Sequence, residues 1–173
     1  MGYTTIKKSK AKTAEQATAA LEREGARREL ASGDAYKLMA RWEVAKEDRE
    51  RIVQGLIQTR FIDDRRYAKA YIRDKINLSN WGERKITTEL SKHGISREII
   101  AQEMAEVDTE VVNQRLREVL EKRSRSVKHK NNYELKGKLI RYGVSLGYSF
   151  EVVNNTISQL NLENKEEEIW DDF

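Results

Sequence analysis

The sequence contains no cysteine and no proline among its 173 residues, and only 38% of these residues are hydrophobic. The lack of cysteine excludes disulfides, zinc–thiolate sites and thiol nucleophiles, and it agrees with a reducing cytoplasm. Because proline breaks helices, its absence removes one cause of helix interruption. No apolar run approaches the roughly 18 residues of a membrane-spanning helix, and no apolar secretory segment follows the basic start. We therefore expect a cytoplasmic protein that has no membrane partner.

Charge is abundant but unevenly distributed: 33 Lys and Arg oppose 29 Asp and Glu, which gives a net charge of +4. Residues 1–12 carry four lysines and no acid, residues 122–141 carry eight basic side chains and one acid, and residues 163–173 carry six acids and one lysine. A basic body with an acidic tail favours a polyanionic partner or an acidic patch on another protein. Ordinary solubilising charge is the alternative that composition leaves open.

Helix start and stop signals recur along the chain with few residues between them. Thr13–Gln16 has the form of a capping box, and Asn80–Glu83 is similar. Single capping candidates precede further amphipathic stretches at Asp64, Ser96, Asp108 and Ser149. Gly94 and Gly147 suit the left-handed position that ends a helix. Apolar residues at helical spacing between these marks predict about nine helices, with no competing strand pattern.

The helical pattern repeats with a period of about 50 residues. His93–Ser96 aligns with Leu146–Ser149, and Trp42–Ala45 aligns with the same site more weakly. We predict an all-α fold of three tandem three-helix repeats that form an elongated, curved helical array. The predicted divisions are a flexible basic extension at 1–12, repeats at 13–60, 61–107 and 108–162, and an acidic tail at 163–173. We expect a monomer.

Candidate catalytic or metal-ligating residues are few. The adjacent Asp63 and Asp64 could serve acid–base chemistry or bind a metal, but at a helix start either one is better explained as an N-cap. Both histidines, His93 and His129, lie among basic residues, and His93 suits a helix C terminus. The sequence also lacks a phosphate-binding loop after a strand and a convincing catalytic triad. We predict no cofactor, no metal and no enzymatic activity.

Basic side chains are the stronger candidates for binding a partner. They lie on the predicted helix that begins at Asp64, on the next helix and in the third repeat. The candidates are Arg65, Arg66, Lys69, Arg73, Arg84, Lys85, Lys92, Lys128, Lys130, Lys138 and Arg141. Each group alone resembles an ordinary solvated helix face, whereas alignment of the three would form one docking edge. Most aromatic residues that could stack on bases, Tyr133 among them, are expected to pack in the core, and Trp81 beside Gly82 is the best candidate for exposure.

One segment resembles a known family. Phe61–Ala68, with the sequence Phe-Ile-Asp-Asp-Arg-Arg-Tyr-Ala, closely resembles the signature of the RecX family of bacterial regulatory proteins, which modulate the RecA recombinase. The resemblance continues through Trp81-Gly82 to the Gly94-Ile95 turn and covers roughly residues 25–160, with Glu43 where many relatives have glycine. It implies a role in homologous recombination, DNA repair and the SOS response.

The same resemblance implies a mechanism in which the protein lies in the groove of the RecA nucleoprotein filament. There it would hinder filament growth, ATP hydrolysis and strand exchange. Two alternatives stay open: a helical protein that binds DNA itself through phosphates, without sequence preference, and a helical adaptor for another protein. We also expect the acidic tail, with a charge of −5, to fold back on the basic face and weaken partner binding.

Overall fold

The computed structural model describes residues 11–160, which form nine α-helices and no β-strand. The helices are α1 (Ala14–Gly25), α2 (Ser32–Arg41), α3 (Lys46–Gln58), α4 (Asp64–Ser79), α5 (Glu83–Lys92), α6 (Arg97–Ala105), α7 (Thr109–Ser126), α8 (Asn132–Ser145) and α9 (Phe150–Gln159). The all-helical prediction and the number of helices are confirmed for this part of the chain. Most of the basic extension and the whole acidic tail lie outside the described residues, and so does the expected contact of that tail.

Most helices begin where the sequence predicts. Thr13 and Gln16 form the predicted capping box of α1, in which each side chain accepts from the other residue's backbone N–H. Ser96, Asp108 and Ser149 accept from N–H groups in the first turns of α6, α7 and α9. Such caps contribute about 1 kcal/mol each, so local sequence fixes these helix starts.

The predicted capping box at Asn80–Glu83 is wrong. Asn80 lies ahead of α5 in a left-handed conformation, with φ of 54°, and α5 begins after the buried Gly82. The Gly82 N–H donates to the Leu146 carbonyl oxygen at 2.8 Å. Because a carbonyl group from the end of α8 satisfies a donor at this helix start, a side-chain cap is not needed there.

The described residues form two compact units, and each unit is built from two separate stretches of chain. Unit 1 comprises residues 11–74 and 87–106, and unit 2 comprises residues 75–86 and 107–160. The divisions fall inside α4 and α5, so each of these helices contributes residues to both units. The repeat boundaries drawn from the sequence are a different division and remain a prediction.

Each unit has its own hydrophobic core. In unit 1, α1 and α2 pack against α3 through fully buried residues that include Leu21 and Met39. In unit 2, α7, α8 and α9 all pack against one another around Leu116, Leu139 and Val153. Full burial of one such side chain contributes about 1.5–3 kcal/mol. Small cores of this kind agree with the low hydrophobic content of the sequence.

Paired glycines bring distant backbone segments together within each unit. In unit 1, a Cβ on Gly33 would lie 2.7 Å from the Gly94 Cα, and in unit 2 a Cβ on Gly82 would lie 2.7 Å from the Gly147 carbonyl carbon. Gly94 and Gly147 have φ of 81° and 98°, which confirms their predicted left-handed conformation. Glu43, the equivalent position after α2, also has a positive φ of 56°.

Candidate partner-binding surfaces

The basic residues of α4 in unit 1 begin with two arginines that carboxylates hold in place. Arg65 Nε lies 2.5 Å from Oε1 of Glu103, whose side chain is only 7% exposed, and Arg66 Nε lies 2.7 Å from Oε2 of Glu29. The hydrogen bonds to these carboxylates are the main reason why the pKa of Arg65 and the pKa of Arg66 rise above the ordinary value. Both arginines therefore connect distant parts of unit 1.

The other predicted basic residues of unit 1 differ in their surroundings. Arg73 donates to Asp74 at 3.0 Å, and Lys92 Nζ lies 2.7 Å from Glu89 Oε1. Lys69 is exposed on α4. Over its described residues unit 1 contains 16 Lys and Arg and 16 Asp and Glu, so its formal net charge is zero.

Asp63 and Asp64 confirm the capping interpretation, but they serve different helices. Asp63 Oδ1 accepts from the Arg66 N–H at 2.9 Å and caps α4. Asp64 accepts from the backbone N–H of Ser32 at 2.7 Å and from its hydroxyl at 2.6 Å. The residue before α2, Ala31, offers no side-chain cap, so Asp64 performs this role from another helix.

His93 also belongs to the packing of unit 1. Its Nδ1 lies 2.6 Å from Oδ2 of Asp34, and its ring centroid lies 5.4 Å from that of Tyr67 and 5.5 Å from that of Tyr71. Within residues 11–160, no group of three or more Asp, Glu or His side chains is arranged to hold a metal ion. No helix in the same range has the length and apolarity to cross a membrane.

Trp81 in unit 2 is not the exposed aromatic residue that the sequence predicts. It is half-buried and packs on the core of unit 2, while the ammonium groups of Lys75 and Lys85 lie 4.7 Å and 4.4 Å from its ring centroid. The Lys85 ammonium group also donates to the Ser145 carbonyl oxygen at 3.4 Å. Two cations on one ring form cation–π contacts, so Lys85 has a structural role beside any binding role. Arg84, next to it, is exposed.

The predicted binding residues of the third repeat lie in what we call the basic segment, residues 122–141 at the end of α7 and in α8. Lys138 Nζ donates to the Lys128 carbonyl oxygen at 2.6 Å and lies 2.7 Å from Glu134 Oε1. The Lys130 N–H donates to Glu134 Oε2 at 2.8 Å. The Lys138 hydrogen bond, followed by that from Lys130, lowers the pKa of Glu134. The structure thus gathers three predicted residues around the one acid of the segment.

Tyr133 corrects another prediction, because its side chain is 90% exposed instead of packed in the core. The core residues Leu135 and Leu139 define the buried face of α8. At 3.6 residues per turn, Tyr133 and Gly137 point away from that face, and Arg141 follows one turn later. A helical projection centred on the two leucines could have revealed this exposure from the sequence.

The basic segment gives unit 2 a charge unlike that of unit 1. Over its described residues unit 2 contains 13 Lys and Arg and 7 Asp and Glu, a formal net charge of +6. Lys128, Lys130, Lys136 and Arg141 are all exposed. The whole net positive charge of residues 11–160 therefore belongs to unit 2, where an anionic partner would be attracted.

Comparison with known proteins gives two matches to family models. The model of the second three-helix domain of RecX matches residues 63–104, and the model of the third three-helix domain of RecX matches residues 111–157. Together the two matches span just over half of the chain. The first predicted repeat lies outside both.

Curated relatives and solved structures agree with these matches. The regulatory protein RecX of Clostridium beijerinckii is 33% identical over 113 residues, 64% of this chain and 52% of the relative, and that of Clostridium perfringens strain 13 is 30% identical with the same coverage. The chain thus matches about half the length of these relatives. The crystal structure of RecX from Lactobacillus salivarius superposes with a TM-score of 0.76 at 19% identity, over 87% of this chain and 97% of that one. A likeness at this identity shows the shared helical repeat fold.

Proposed function

The chain belongs to the RecX family, and we propose that it is a non-enzymatic cytoplasmic regulator of the RecA recombinase. In this proposal it binds in the groove of the RecA–DNA filament and restrains filament extension, ATP hydrolysis and strand exchange. The relatives are named regulatory proteins, which supports a regulatory role. Tandem helical repeats suit binding along an extended partner, because several modest contacts gain from effective concentration.

The single observation that carries the proposal is the +6 charge of unit 2 and its concentration in the basic segment. A nucleoprotein filament is polyanionic, so a basic surface raises the encounter rate and the affinity, and added salt weakens both. Lys128 and Lys130 are exposed in this segment, and the charge of the adjacent Glu134 is opposed by Lys138. These residues are therefore the first candidates for contact with the filament.

The test is the ATPase activity of RecA on single-stranded DNA with the purified protein added. We expect inhibition by the unaltered protein and weaker inhibition by the double variant Lys128→Ala/Lys130→Ala. The matched control is Arg27→Ala/Lys46→Ala, which removes the same charge from two exposed positions of unit 1 that lie outside the predicted binding residues. Circular dichroism verifies folding. Unchanged ATP hydrolysis at low salt and excess protein contradicts the proposal.

A second candidate function is binding to bare DNA without sequence preference, and the same +6 charge favours it. Phosphate contacts give a logarithmic salt slope of about −0.9 per contact on duplex DNA. Affinity measured across a salt series on bare DNA and on RecA-coated DNA separates the two functions. Tighter binding to the coated DNA supports RecA regulation, and equal or tighter binding to bare DNA supports the second candidate.

A further inference from the structure

We infer that Tyr133, Gly137 and Arg141 on α8 form a stacking site for an unpaired base of single-stranded nucleic acid. We call these three residues the stacking stripe. The inference deepens the proposed function, on which it rests, by naming the chemistry of one contact with the nucleoprotein partner. It concerns unit 2 alone and requires no particular arrangement of the two units.

The exposed ring of Tyr133 is the first observation. A tyrosine that is 90% exposed at the start of a helix contributes little to its own fold, whereas other tyrosines, such as Tyr67 and Tyr148, are buried. Its flat face is therefore accessible to a planar ligand. Base–aromatic stacking is worth about 1–3 kcal/mol per base and accepts any base, which suits a protein that reads no sequence.

The second observation is the open surface one turn along the helix. A Cβ on Gly137 would meet only one atom within 4 Å, Nη1 of Arg141, at 3.7 Å. Nη1 of Arg141 thus reaches back along α8 toward the glycine, as helical side chains lean toward the N terminus. The bare backbone beside this cation leaves room for a base to lie against the helix, and guanidinium planes stack on bases as aromatic rings do.

The third observation is the charge around the stripe. Lys130 and Lys136 are exposed on either side of Tyr133 in sequence, and Lys128 follows the end of α7. Glu134, the adjacent acid, accepts from Lys138 and Lys130, so its charge is already opposed. Lysines beside an aromatic ring provide phosphate contacts for a strand whose base stacks on that ring. An acidic protein surface would use the lysines but gain little from the exposed ring and the bare glycine.

The test measures fluorescence polarisation of a labelled oligothymidine and of a duplex with the same number of phosphates, without RecA. We expect Tyr133→Ala to weaken binding to the single strand by roughly 5-fold or more while binding to the duplex changes less than about 2-fold, since 1 kcal/mol of stacking corresponds to about 5-fold. Tyr133→Phe keeps the ring and should retain most of the affinity. Phe150→Ala removes an aromatic residue that is 60% exposed elsewhere in unit 2 and should change nothing.

Gly137→Ala is the second variant, and we expect it to change binding without causing misfolding. An added methyl group meets ordinary van der Waals distance at 3.7 Å and suits a helix interior, so the protein should be at least as stable. The methyl group would nevertheless occupy the surface where the base lies, and we expect weaker binding to the single strand. Unaltered binding of the single strand by Tyr133→Ala overturns the inference, whatever the result for Gly137→Ala.

Two further outcomes separate this inference from the proposed function. Equal losses on single strand and duplex would assign Tyr133 to general phosphate binding and overturn the stacking site. If the unaltered protein inhibits RecA while Tyr133→Ala binds bare oligothymidine normally, the stacking inference fails and the proposed function stands. If single-strand binding depends on Tyr133 but RecA hydrolyses ATP at its usual rate, the stacking site is supported and the proposed function fails.

Discussion

Units 1 and 2 bring backbone segments together by the same glycine contact but distribute their charges differently. Gly33 meets Gly94 in unit 1, and Gly82 meets Gly147 in unit 2. Unit 1 balances 16 basic with 16 acidic residues, whereas unit 2 has 13 and 7. The two units therefore have the same kind of backbone contact but different net charges.

The difference teaches where to look for binding residues. In unit 1, Arg65 and Arg66 pair with Glu103 and Glu29, which are far away in the sequence, so the charge of these two arginines serves the fold. In unit 2, Lys128 and Lys130 leave their charges at the surface, and the nearest acid pairs with Lys138. A count of basic residues along the sequence treats these two kinds of cation as equal, but the structure separates them.

The largest expected effect concerns the glycine contact that occurs in both units. Gly33→Ala and Gly82→Ala should each destabilise the protein by about 3 kcal/mol, because the new methyl group would lie 2.7 Å from backbone atoms that cannot rotate away. Urea unfolding followed by circular dichroism measures the change. Gly55→Ala is the matched control: nothing lies within 4 Å of its Cβ position, so stability should rise by about 0.5–1 kcal/mol. Equal stability of all three variants would show that the glycine contacts are unimportant.

The next effect tests the structural role of charge in unit 1. Asp64→Ala should cost about 2 kcal/mol, since Ser32 loses both hydrogen bonds that hold the start of α2. Asp74→Ala, which removes an exposed partner of Arg73 on the same helix, should change stability by less than about 0.5 kcal/mol. Thermal melts of the two variants provide the comparison. A loss for Asp74→Ala as large as that for Asp64→Ala would contradict the distinction.

A smaller effect concerns the binding role of charge in unit 2. Lys136→Ala should leave the melting temperature almost unchanged, because Lys136 is exposed on α8, and should reduce the logarithmic salt slope of single-strand binding by about 0.7. Lys46→Ala, at the exposed start of α3 in unit 1, is the control and should leave the slope as it is. The slopes come from titrations at several salt concentrations. If Lys46→Ala reduces the salt slope and Lys136→Ala leaves it unchanged, the phosphate contacts belong to unit 1.

The smallest effect extends the glycine comparison to the first repeat. Glu43 has a φ of 56°, where the equivalent Gly94 and Gly147 have 81° and 98°. Because side chains disfavour this conformation, Glu43→Gly should stabilise the protein by about 0.5–1 kcal/mol. Chemical denaturation detects a change of this size. Destabilisation would mean that the Glu43 side chain contributes more than its backbone conformation costs.

Local features of the fold were predictable from the sequence, because neighbours in sequence produce them. The capping box of Thr13 and the left-handed conformations of Gly94 and Gly147 depend on a few residues each. The missed features depend on segments far apart in sequence. Asp64 binds Ser32 across 32 residues, and Gly82 donates to Leu146 across 64, and no local pattern encodes either partner.

Some features of the candidate binding surface were likewise predictable from the sequence, and others were not. The concentration of lysine and arginine at 122–141 is visible in the sequence, and so is the helical spacing that exposes Tyr133. The pairing of Arg65 with Glu103 and the packing of Trp81 on the core of unit 2 arise only when distant helices meet. The predicted binding role of all eleven basic residues remains a prediction.

The discontinuity of the units has a consequence for the order of events during synthesis. Unit 1 needs residues up to 106, so residues 75–86 leave the ribosome before unit 1 is complete. Trp81 packs on a core formed by α7, α8 and α9, which are synthesised after it. At 5–20 residues per second, the interval between synthesis of Trp81 and synthesis of the end of α9 is about 4–16 seconds. A chaperone that captures aromatic side chains on nascent chains would meet this tryptophan during that interval.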